Sequence, residues 1–152
     1  MLIRIEASDL PGRVCGQEPG FPGYVNIHVG VQRRERRDEL LGVTPGDASS
    51  AVWELEVICT RTTTGWDLRG PFVQGRPGGR FIYLSWGTVD AAGAFSMFRR
   101  AKVWLAAIPA NVLADAAARG VVVARLRLTD AKGQPLCASV RPPLVTWSVP
   151  AG

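Results

Sequence analysis

Glycine and proline interrupt this chain at short intervals, and most runs between them alternate apolar and polar residues with a period of two. That spacing sends successive side chains to opposite faces of an extended strand, so it confines most of the chain to β structure. Ile3, Ile5 and Ala7 alternate with Arg4 and Glu6. Residues 24–32 repeat the pattern most clearly: Val25, Ile27, Val29 and Val31 share one face, and Tyr24, Asn26, His28, Gly30 and Gln32 the other. Residues 51–60 set Trp53, Leu55, Val57 and Cys59 against Glu54 and Glu56. Residues 11–23 are rich in Pro and Gly and predict a loop.

Strands are also expected over residues 69–74 and 80–86, joined by the loop Gly75-Arg76-Pro77-Gly78-Gly79. A second hairpin turns at residues 90–93 and continues through residues 95–105. Residues 121–128 and 136–140 flank the turn Asp130-Ala131-Lys132-Gly133, and residues 144–149 form a last strand after Pro142-Pro143. One helix interrupts the series: Pro109 suits its first position, residues 111–119 are good helix formers, and Gly120 is placed to end it. The pattern predicts one mainly β domain over residues 1–152: a small antiparallel β-barrel or sandwich of about eight strands, capped by one α-helix.

A chain of 152 residues can bury a core without covalent staples. Cys15, Cys59 and Cys137 are scattered and odd in number, with no CxxC pair, so neither a disulfide framework nor a zinc site is indicated. Cys59 and Cys137 read as small core residues. No stretch approaches the roughly 18 apolar residues of a membrane span, and the first residues lack a signal-peptide core, so the expected location is the cytoplasm, away from membrane. The formal net charge is +5, and all but Lys102 and Lys132 of the 18 basic residues are Arg. Acidic residues are interleaved with them, so nucleic acid is not the expected partner.

With a single histidine, HExxH and two-histidine mechanisms fall away. There is no Walker A loop and no GxGxxG opening a helix, and Leu84-Ser85-Trp86-Gly87 lacks the leading glycine of a nucleophile elbow. No metal and no cofactor is expected. Four residues remain as candidates for chemistry. His28 shares a strand face with Tyr24, Asn26 and Gln32, either as a proton carrier lining a cavity or on a solvated sheet face. Glu54 and Glu56 project from one face, either as an acid–base pair or as exposed strand glutamates. Arg99 shares the parity of Met97, Ala101, Val103 and Leu105, which turns it inward toward a partner unless a β-bulge shifts the parity. The loop 75–79, with Arg76, Arg80 and nearby Arg69, reads either as an anion cradle or as a plain hairpin turn. Trp53, Trp66, Trp86, Trp104 and Trp147 read as core or as the walls of an apolar pocket.

Several runs together resemble an uncharacterised domain family, mainly actinobacterial and of unknown function. They are Asn26-Ile27-His28-Val29-Gly30-Val31-Gln32-Arg33, Gly70-Pro71-Phe72-Val73-Gln74-Gly75, Arg80-Phe81-Ile82-Tyr83-Leu84-Ser85-Trp86-Gly87, Phe98-Arg99-Arg100-Ala101-Lys102 and Leu136-Cys137-Ala138-Ser139-Val140-Arg141-Pro142-Pro143. The resemblance spans nearly the whole chain and implies a bacterial, cytoplasmic, single-domain protein, with no catalytic residue to carry over.

The function that fits these features best is binding of a small organic molecule, an anion among the options, in a cavity lined by Tyr24, Asn26, His28, Gln32, Tyr83, Trp86 and Arg99. An alternative is a cofactor-independent enzyme of secondary metabolism (a cyclase, isomerase or hydrolase) using the same cavity, with His28, Glu54, Glu56 and Arg99 as its candidates. A third is a protein- or nucleic-acid-interaction module using the charged run Arg33-Arg34-Glu35-Arg36-Arg37. A homodimer is compatible with the sequence, though no residue demands one.

Overall fold

The computed structural model describes residues 1–8, 23–29, 39–45, 50–89, 95–127 and 144–152. Among them ten strands and one α-helix follow the order β1 (Leu2–Ser8), β2 (Gly23–Val29), β3 (Glu39–Pro45), β4 (Ser50–Glu56), β5 (Ile58–Thr62), β6 (Gly65–Arg69), β7 (Phe81–Val89), β8 (Phe95–Trp104), α1 (Ala110–Arg119), β9 (Val121–Arg127) and β10 (Leu144–Ser148). A short 3-10 turn, Leu105–Ala107, leads from β8 toward α1. The described residues are mainly β, as the alternation predicts. The turn at residues 90–93, the strand expected over residues 136–140, Cys15, Cys137 and the Arg33 to Arg37 run lie outside the described residues.

The strands form three sheets, ordered β10-β9-β1-β4, β3-β2-β7-β8 and β5-β6. The all-antiparallel expectation needs one correction. β1 pairs antiparallel with β4 but parallel with β9, in the register Leu2↔Val121 through Ser8↔Arg127. Parallel neighbours need a long crossover, and here α1 delivers the chain to β9 at the end where β1 begins. The junction is fixed by the Leu2 N–H, which donates to the Gly120 carbonyl at 2.8 Å.

Period two accounts for the burial of β1. Ile3 and Ile5 are fully buried and Ala7 nearly so, while on the other face Arg4 pairs with Glu54 (2.7 Å) and Glu6 with Arg125 (3.3 Å). Such solvated pairs contribute about 0–1 kcal/mol each, so the inward face supplies the stability. Those residues join Trp53, Leu55, Leu126, Ile82, Leu84 and Val103 in one apolar cluster drawn from both four-stranded sheets. Helix α1 adds Leu113 and Ala116.

Several boundaries differ from the sequence reading, and two of them have a visible cause. The run over residues 51–60 is divided at Val57 into β4 and β5, which belong to different sheets. Val57 is held at the break by the first residue: its N–H donates to the Met1 carbonyl (2.8 Å), and the Met1 ammonium donates to its carbonyl (2.9 Å). The strand expected over residues 69–74 does not form: β6 ends at Arg69, and only Gln74 makes an isolated bridge, to Phe81. Gly70 packs so closely on the end of β4 that an added Cβ would lie 2.8 Å from the Glu56 carbonyl oxygen. The chain then turns, with the Val73 N–H bonded to the Gly70 carbonyl at 3.1 Å.

Helix α1 begins one residue later than a Pro at its first position implies. Pro109 caps it from outside, and its carbonyl accepts from the Leu113 N–H at 2.9 Å. Gly120 ends it in the left-handed region (φ 80°), where its N–H closes on the Ala116 carbonyl at 2.7 Å. The last-turn Arg119 is favourably placed at the negative end of the helix and also donates to the Pro150 carbonyl at 3.1 Å.

Candidate functional site

The β5–β6 hairpin places adjacent residues of opposite character in the interior. Leu68 and Asp67 are both buried, at 3% and 4% exposure. A buried carboxylate is tolerated only with partners that replace its water. Asp67 has two: Arg80 donates through Nε to Oδ1 (3.0 Å) and through Nη2 to Oδ2 (3.3 Å), and Arg69 donates through Nε to Oδ2 (2.8 Å). The Arg80 hydrogen bonds, followed by the one from Arg69, outweigh burial and hold the Asp67 carboxyl down at about 2.

Arg80 stands at the end of the loop 75–79 and also braces it, since its Nη1 donates to the Gly75 carbonyl. The loop is closed by paired backbone bonds between Gln74 and Phe81 (2.9 and 3.0 Å) and by the Gly79 N–H on the Arg76 carbonyl (2.8 Å). Gly75 has φ 89°, and a Cβ there would lie 2.3 Å from the Gly79 carbonyl oxygen. Gly75→Ala is therefore expected to cost about 2 kcal/mol or more from the left-handed backbone together with the clash. Urea denaturation measures it, and a loss below half a kcal/mol would show that the loop relaxes freely.

Between this assembly and α1 lies a cavity of about 360 Å³. Its floor is Leu68, Leu105, Ile108 and Leu113, all buried, and its wall carries Trp66, Asp67 and Arg80. Thr62, Thr64, Pro77 and Gly78 rim one side, Ala106 and Ala110 the other. The Arg61 guanidinium lies 5.8 Å from the centroid of the Trp66 ring, a cation–π distance. The volume falls at the small end of the range for ligand pockets, about 300–1,000 Å³.

The residues expected from the sequence to line a cavity belong to other elements. Tyr24, Asn26 and His28 are on β2, Tyr83 and Trp86 on β7, and Arg99 on β8, all in the second sheet. Backbone register aligns His28 with Tyr83 and Tyr83 with Lys102, and it aligns Val25 with Trp86 and Trp86 with Arg99. The set is thus divided between the two parities of the sheet, and Tyr83, whose side chain is described, does not line the cavity described above. The irregularity in β7–β8 falls between Trp86 and Gly87, where the β8 partner steps from Arg99 to Met97. Arg99 therefore keeps register with Ala101 and Val103, and Met97 does not. Gln32 is outside the described residues.

Tyr83 is buried and meets Phe81 edge to face (centroids 5.0 Å apart). The Lys102 ammonium sits 4.4 Å from the Phe81 centroid and 5.1 Å from that of the half-exposed Trp104. Glu54 and Glu56 are exposed, and Glu54 pairs with Arg4. Cys59 is partly buried against the core, and burial pushes its thiol up, which disfavours the nucleophilic thiolate. No described helix is long and apolar enough to cross a membrane.

Sequence reasoning found three of the cationic groups here, Arg69, Arg76 and Arg80, but missed Asp67 and the cavity. The available signal was slight: Asp67 is the lone acid between residues 58 and 80, in a strand too short to show which face is covered. No curated protein and no solved structure matches the chain. The model of a family of unknown function, DUF5990, matches residues 1–150, and the chain belongs to that family.

Proposed function

We propose that this protein binds a small organic molecule in the cavity between the β5–β6 hairpin and α1. One observation carries the reading: a concave site with a buried apolar floor and a braced polar wall in place. The floor offers transfer energy to an apolar body, while Asp67 and Arg80 are locked by mutual hydrogen bonds and so present fixed polar groups. The surrounding fold is best read as a two-sheet sandwich, since one apolar cluster draws on both four-stranded sheets; a sandwich leaves room for such a site at its margin, whereas a small barrel is filled by its own side chains.

Ala110 offers the cleanest test, because it is exposed at the rim and lies in the first turn of the helix. Ala110→Trp is expected to obstruct the mouth with little change in stability. Native mass spectrometry of protein isolated from its producing cells should then show a stoichiometric small-molecule adduct that the variant lacks. Bare masses for both, with no gain in thermal stability from small organic acids or alcohols, would overturn the proposal.

A further inference from the structure

We infer that the ligand of this cavity is an apolar organic acid, its anionic head set against Arg80 and its hydrocarbon body against Leu68, Leu105 and Leu113. The inference rests on the cavity being a ligand site and adds the charge of what it takes. Residues 58–80, which supply the hairpin and the loop, contain Arg61, Arg69, Arg76 and Arg80 against the single acid Asp67. The opposite wall, residues 105–114, has no charged residue at all. Among the described residues, the segment on the hairpin side of the cavity therefore carries a net positive charge and the segment on the helix side none.

Local pairing does not cancel that excess. One carboxylate is shared by two guanidinium groups, Arg69 and Arg80, so their cluster keeps one positive charge. Arg80 engages three of its five N–H groups, two with Asp67 and one with Gly75, which leaves one on each terminal nitrogen for an acceptor. Its side chain retains 17% exposure and lines the cavity, whereas Arg61, stacked near Trp66, and Arg76, on the loop, contribute field without occupying the floor. A cationic ligand would meet this field with the only carboxylate among the described lining residues already satisfied. A neutral one would gain the floor alone.

The test compares three ligands sharing one apolar body, naphthoate, naphthylmethanol and naphthylmethylamine, by calorimetric titration at low salt. Naphthoate is expected to bind about ten- to a hundredfold more tightly than the alcohol, the gain of a hydrogen bond to a charged group, and the amine more weakly than either. Raising salt to about 0.5 M should remove part of the naphthoate advantage and leave the alcohol unaffected. Arg80→Gln could disturb the fold through Asp67, so the variant chosen is Arg76→Glu, on the exposed loop. It should weaken naphthoate several-fold and spare the alcohol. Equal binding of acid and alcohol, or an affinity for naphthoate indifferent to both salt and Arg76→Glu, would overturn the anion preference while leaving the cavity as a site. Failure of all three ligands to bind would overturn the site and this inference with it.

Discussion

Asp67→Ala is expected to destabilise the protein by about 3 kcal/mol near neutral pH, the lower part of the range for removing one member of a buried ion pair. The lower part applies because the two partners differ: the Arg80 side chain is 17% exposed, but that of Arg69 is 66% exposed and regains water readily. What the substitution leaves behind is a largely buried guanidinium with only the Gly75 carbonyl to bond among the described residues. The effect must also depend on pH, and the sign follows from the depressed carboxyl. Asp67 holds its proton more weakly folded (about 2) than at its ordinary 3.8, so its stabilisation is fully present above the ordinary value. It is lost as pH falls through the folded one. Urea titrations of wild type and Asp67→Ala should accordingly converge between about pH 4 and pH 2. A constant difference across that window, or one below about 1 kcal/mol at neutral pH, would mean that the carboxylate contributes nothing through its two arginines.

Ile5→Ala should cost more, about 4 kcal/mol. Ile5 is fully buried on a central strand, opposite Trp53 on β4 and Ala124 on β9. Paired strands on both sides hold the backbone, so the space left by the lost carbons cannot collapse easily, and the cavity term adds to the transfer term. Ile58→Ala is the control of the same chemistry. Ile58 is 70% exposed at the start of β5, and its truncation should stay within about half a kcal/mol. Chemical denaturation of the pair separates burial from residue type, and equal losses would contradict the assignment of the core to the inward face of β1.

The contrast between those two isoleucines shows what period two can reveal. Ile5 and Ile58 are alike as residues, but alternation from Trp53, Leu55 and Val57 sets Ile58 on the opposite parity, with Glu54 and Glu56. Strand faces, the helix over residues 110–119 and its glycine stop were therefore legible, because each depends on the geometry of neighbours a few residues apart. The same locality explains why the candidate residues of β2, β7 and β8 could be assigned faces but not brought to a common site.

Pairing is the part that local pattern does not contain. Whether β9 lies beside β1 or elsewhere, and whether it runs parallel, depends on contacts between segments more than a hundred residues apart, such as Leu2 with Val121. The division of residues 51–60 at Val57 depends on Met1, which no local signal announces. The site follows the same rule. Glycine placement marked the loop 75–79, and composition supplied its arginines, yet only tertiary folding set Arg80 against Asp67, thirteen residues earlier, and closed the cavity with a helix that follows β8. By itself the sequence determined strand parity, the helix and a cationic excess, all properties of short range or of composition. The tertiary structure alone decided which faces meet, where a buried carboxylate finds its partners, and hence where the concave site lies, because those outcomes are set by the joint packing of distant segments.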